Sequence, residues 1–132
     1  MTTFGPQGRN EAPPSNPAAT RWVPRLLLAA AALHWVFMVT DGIWIELAKA
    51  GLWNTVTPDD HARMATLWFG LAGIAYLGLG LIARNAAATT GRIPAEISWT
   101  LVAVGAPMAV IMPASGGWLL LALGLYALLR QR

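Results

Sequence analysis

The stretch LHWVFMVTDGIWIELAKAG, residues 33–51, carries His34, Asp41 and Glu46 inside an otherwise apolar run. On a helix of 3.6 residues per turn, positions seven apart lie about 20° from one another, so His34 and Asp41 share a face. An imidazole and a carboxylate on one face of a membrane helix can relay protons or hold a ligand; ionisable groups in lipid are functional candidates by default. They can equally bond across helices and fix packing. On that structural reading, which the sequence favours, neutral His34 hydrogen-bonds to a neighbouring helix. Asp41 pairs with Arg63, at the outer end of the next apolar run. Glu46 falls about 120° away and past the apolar stretch, where its carboxylate snorkels to water without a special role.

Depth constrains the choice of face. With Leu26 to Ile45 filling the hydrocarbon, His34 lies near the midplane and Asp41 about 8 Å outward. An aspartate at a helix centre costs roughly 2.5–3.5 kcal/mol on insertion scales, so this polar face must point toward protein or water.

The elements that must position these groups are legible in blocks. Of 132 residues, 56% are hydrophobic and 11% charged, against about a quarter charged in a soluble domain. Residues 1–21 are rich in Pro, Gly, Asn and Ser without periodic apolar positions, and read as a disordered tail. Residues 22–132 read as one all-α membrane domain, a four-transmembrane-helix bundle with spans near 22–50, 57–84, 94–112 and 114–130. Pro24 suits the first turn of the first span, and Gly51 its C-terminal cap. Thr57, Pro58, Asp59 and Asp60 read as the start of the second. Pro94 opens the third, in which Pro107 should kink the helix. The alanines after LLLAAAA suggest a signal-peptide cleavage site, but the apolar run continues well past them, as an uncleaved helix does.

Topology follows from the basic residues. Arg9, Arg21, Arg25, Arg84, Arg92, Arg130 and Arg132 fall on one side of four spans, and only Lys49 and Arg63 on the other. The positive-inside rule then places both termini in the cytoplasm. Because the basic residues sit at the edges of apolar runs, the net charge of +3 reads as a topology signal and gives no reason to expect nucleic acid.

Other chemistry finds little footing. Without cysteine, thiolate metal sites, iron–sulfur clusters and cysteine nucleophiles are excluded. His61 stands beside Asp59 and Asp60 in the first turn of the second span, as a solvated histidine does, so it and His34 do not make a haem pair. Met38, Met64, Met108 and Met112 read as apolar packing. No phosphate loop, zinc-protease motif or serine triad is present, so neither an enzyme, a cofactor nor a metal is expected. Ala62, Thr66 and Gly70 recur every fourth residue, a stripe that lets another helix of the same chain approach closely.

Several motifs together, His34 in the first helix, GLW at 51–53, LWFGLAG at 67–73, GRIPAEISW at 91–99 and MPASGGW at 112–118, resemble a group of small bacterial, largely actinobacterial, four-helix membrane proteins known as a domain of unknown function. The resemblance covers about residues 22–130 and implies a four-span bundle, with no established activity. Leu33 stands where the relatives carry glycine, and Gly117 where they carry an aromatic. The expectation is a multi-pass protein of the bacterial plasma membrane with a structural or accessory role. Its partners would be the bilayer and a second copy or another membrane protein. The alternative is a small proton-coupled transporter using Asp41 and His34.

Overall fold

A computed structural model describes residues 17–53 and 55–130. The described residues form five helices and no strand: α1 (Pro17–Thr40), α2 (Ile43–Lys49), α3 (His61–Thr90), α4 (Ala95–Ile111) and α5 (Gly117–Leu129). The disorder expected for the tail falls largely on residues outside the described ones. At Pro17 the chain is already helical, as the start of α1.

The helix boundaries depart from the sequence reading in ways that local chemistry explains. Proline at the first helical position loses nothing, because that N–H is unpaired anyway. Both Pro17 and Pro24 qualify, and α1 begins at the earlier one, leaving Pro24 inside the helix. Ala19 and Val23 are buried, so packing supports the turn that an interior proline would otherwise weaken. The expected first span breaks at Asp41 and Gly42. Gly42 takes φ 77°, a left-handed conformation that a side chain disfavours, and the chain restarts as the short α2. Gly51, also at positive φ, ends α2: the Leu52 N–H returns to the Leu47 carbonyl, closing a Schellman-type cap.

Asp60, rather than Thr57, caps α3 by accepting from the Arg63 N–H at 3.1 Å. At its other end α3 runs past the expected end of the second span at residue 84, because three alanines sustain it until Gly91 supplies a left-handed cap.

Since Gly42 has open space around a would-be Cβ, its substitution isolates the backbone effect. Gly42→Ala should lower stability by about 1–2 kcal/mol through strain alone, read by thermal unfolding in detergent. A neutral result would mean that the break is free to rearrange.

The helices pair as two antiparallel hairpins, α1 with α3 and α4 with α5, joined by a lighter contact of α1 with α5. Along the first pair, Asp41 meets Thr66, Met38 meets Gly70, Trp35 and His34 meet Gly73, and Leu27 and Leu28 meet Gly80. The stripe at Thr66 and Gly70 thus faces α1, while Ala62 is exposed. In the second pair, Gly105, Gly117 and Gly124 bring backbone against backbone. A shared core of Val23, Leu27, Ala31, Tyr76, Ala83, Ile97, Leu101, Leu120 and Ala127 ties the hairpins together.

Two of these helices, α1 and α3, are long and apolar enough to cross a membrane. At 1.5 Å per residue they measure about 36 and 45 Å, against a hydrocarbon thickness of about 30 Å. The apolar α4 and α5, of 17 and 13 residues, measure only about 26 and 20 Å. Length and composition therefore single out two candidate spans where the sequence reading expects four.

Candidate functional site

His34 and Asp41 both come to the α1–α3 seam, but with partners other than those expected, while Glu46 stands exposed on α2. His34 sits half-buried in the middle of α1. Its Nδ1 lies 2.8 Å from the Ala30 carbonyl, which can only accept, so Nδ1 carries the proton. The ring stacks on Phe69 at 4.4 Å between centroids and meets Tyr76 edge-on at 5.0 Å. The expected cross-helix bond is thus replaced by a bond to its own helix, and aromatic contacts supply the link to α3.

Asp41 occupies the break between α1 and α2. Its Oδ2 accepts from the Thr66 hydroxyl at 2.6 Å, a length typical of a charge-assisted O–H···O⁻ bond. Oδ1 accepts from the Ile43 N–H at 3.0 Å and so starts α2. One carboxylate therefore does two jobs, tying α1 to α3 and turning the chain. Thr66 is buried, and its hydroxyl would otherwise face an apolar seam.

Arg63 is not Asp41's partner. Its Nε lies 3.2 Å from Asp60 Oδ2, its Nη2 lies 3.8 Å from Glu46 Oε2, and its Nη1 donates to the Thr55 carbonyl at 3.0 Å. One guanidinium thus gathers α2, the connector and the start of α3. The physical reason is local: Asp60 is three residues away on the same helix end, whereas Asp41 is already held by Thr66. Glu46, read as a free snorkelling side chain, is exposed but leans toward this guanidinium.

Around these contacts the surface is concave. Asp41, Thr66, Phe37, Met38, Ala65 and Phe69 line a cleft of about 240 Å³. On the opposite side of Met38, the Trp44 indole lies against Gly70 with its buried Nε1–H lacking an acceptor among the described residues. Among the described residues no group of three or more His, Asp or Glu side chains is placed to hold a metal ion. His61 is exposed at the first residue of α3.

Thr66, Phe69 and Tyr76 are the site residues that sequence reasoning did not assign. A signal existed for Thr66, the one hydroxyl in the small-residue stripe. Phe69 and Tyr76, seven apart, share a helical face, but nothing in sequence distinguishes that face from a lipid-facing one.

The chain belongs to the Family of unknown function (DUF6463), whose model matches residues 18–132. No curated protein and no solved structure matches it.

Proposed function

We propose that this family member is a multi-pass protein of the bacterial plasma membrane, with both termini cytoplasmic, and that it serves as a non-enzymatic structural or accessory component. In this reading each hairpin crosses the bilayer twice, α4 and α5 making up their shortness through the flanking turns and local thinning of the bilayer.

The observation that carries the proposal is the apolar exterior. Large hydrophobics stay exposed along every long helix, from Val36 and Val39 on α1 through Ile74 and Ile82 on α3 to Val110 on α4 and Leu119 on α5, the last two at 77% and 76%. A surface so widely apolar is what lipid or protein partners cover. Trp22 and Trp99 fall near the arginine-rich end and Trp53 near the other, as interfacial indoles do. A non-catalytic role is supported by the engagement of the polar groups: Asp41 with Thr66 and Ile43, Arg63 with three neighbours, His34 with Ala30 and two rings.

The chain lacks cysteine, so single-cysteine labelling gives a clean test. In intact cells a membrane-impermeant maleimide should modify Lys49→Cys and Ala114→Cys but not Thr89→Cys. Labelling of all three from one side, or release of the chain by alkaline carbonate, would sink the topology.

One observation favours a second reading, a small proton-coupled transporter acting as an oligomer. Asp41 lines an open cleft with two aromatic walls. Cysteines at positions 34, 38 and 41 would then change reactivity with the proton gradient, whereas the accessory role leaves them indifferent to it.

A further inference from the structure

At the end of the α1–α3 seam opposite Asp41, antiparallel pairing sets Arg84 of α3 beside the second and third turns of α1. Arg21, Arg25 and Arg84 there line one groove of about 370 Å³ with Thr20, Pro24 and Leu28. No acidic side chain lines it, and none of the three guanidiniums forms an ion pair with a described acidic residue. Three like charges lining one concavity repel each other, and no described carboxylate stands there to neutralise them.

The two α1 arginines are also held in place. Their guanidinium carbons lie 5.6 and 5.9 Å from the Trp22 ring centroid. A guanidinium resting on an indole face keeps its N–H edge for planar, bidentate bonding to carboxylate or phosphate oxygens.

Depth then selects the anion. From Arg63 to Arg84 along α3 is about 31 Å, close to the hydrocarbon thickness, so Arg84 lies where the inner-leaflet phosphates begin. Leu28, one turn beyond Arg25 toward the bilayer centre, gives the groove an apolar floor suited to the glycerol end of an acyl chain.

We propose that Arg21, Arg25 and Arg84 form a binding site for the phosphate of an anionic phospholipid of the cytoplasmic leaflet. The site rests on the membrane reading given above. Basic pockets between membrane helices on the cytoplasmic side recognise such headgroups, and each arginine near an anionic surface contributes about a fivefold gain in binding.

The test is native mass spectrometry of the full chain in detergent, titrated with phosphatidylglycerol or phosphatidylcholine. One phosphatidylglycerol per chain should be retained in preference to phosphatidylcholine. Arg21→Gln, Arg25→Gln and Arg84→Gln should each weaken retention about fivefold and the triple variant about a hundredfold. Arg130→Gln, which removes the same charge elsewhere, should change nothing. Circular dichroism checks each variant's fold, and the single variants decide should the triple variant unfold. Inorganic phosphate or glycerol 3-phosphate at millimolar concentration should not displace the lipid.

Equal loss with Arg130→Gln would mark diffuse attraction and overturn the site. Displacement by inorganic phosphate would assign the groove to a soluble anion and overturn the lipid assignment. Undiminished retention by a folded triple variant would overturn it as well. Release of the wild-type chain by alkaline carbonate would instead overturn the membrane reading and the lipid site with it.

Discussion

Gly105→Val and Gly124→Val should each separate α4 from α5 and cost about 3 kcal/mol or more, while Gly70→Ala should cost less than about 1 kcal/mol. The difference lies in what a new side chain would strike. A Cβ on Gly105 would meet the backbone of Leu121 and the Gly117 carbonyl oxygen, the latter at 2.9 Å. On Gly124 it would lie 2.8 Å from the Ser98 carbonyl oxygen and 2.9 Å from the Val102 nitrogen. Backbone atoms of a helix cannot rotate away, so the axes must move apart and the close contacts between them are lost together. On Gly70 the first atom met is the Met38 sulfur at 2.6 Å, the far part of a side chain with three rotatable bonds. Reversible unfolding in mixed detergent micelles, followed by circular dichroism, measures the three costs on one scale. Equal costs for Gly70→Ala and Gly105→Val would show that helix approach in the second hairpin is not set by its glycines.

The same contrast shows what the sequence discloses and what it withholds. Apolar blocks and their caps announce helices wherever one chemical signal dominates: Pro94 before α4 and Gly51 at the end of the first apolar run both mark ends within a few residues of those observed. Competing signals mislead. Two prolines qualify as the start of α1, and only the burial of Ala19 and Val23 decides for the earlier one. A run of alanines prolongs α3 beyond Arg84, where polar composition suggests a turn. The Asp41–Gly42 break is written as DG, a turn pair inside a helical pattern, and the surrounding hydrophobicity hides it.

At the candidate site, the helical wheel puts His34 and Asp41 on the seam side of α1 but has no means of choosing their partners. Partner choice depends on the α1–α3 register, which arises from glycines at 70, 73 and 80 fitting Met38, Trp35 and Leu28. That register sets Asp41 against Thr66 and leaves Arg63 a turn nearer the start of α3, among Asp60, Glu46 and Thr55.

Register therefore predicts an unequal cost for Asp41 and Arg63, the two charged residues that the sequence alone pairs. Asp41→Ala removes a short charge-assisted bond and the acceptor that starts α2, while Thr66 keeps a hydroxyl in a buried seam; the expected loss is about 2–3 kcal/mol. Arg63→Gln removes contacts that are 3.2 and 3.8 Å long, one of them to a carboxylate 66% exposed. Water screens such pairs, and together with the Thr55 bond their loss should cost about 1 kcal/mol. A double-mutant cycle separates the pairings. Asp41→Ala with Thr66→Val should cost less than the sum of the single changes by about 1–2 kcal/mol, because removing both partners leaves no buried polar group unsatisfied. Asp41→Ala with Arg63→Gln should simply add. Coupling between Asp41 and Arg63 with none to Thr66 would mean that the chain holds a different α1–α3 register, shifted by about one helical turn toward the start of α3 from the contacts that seat Met38 on Gly70.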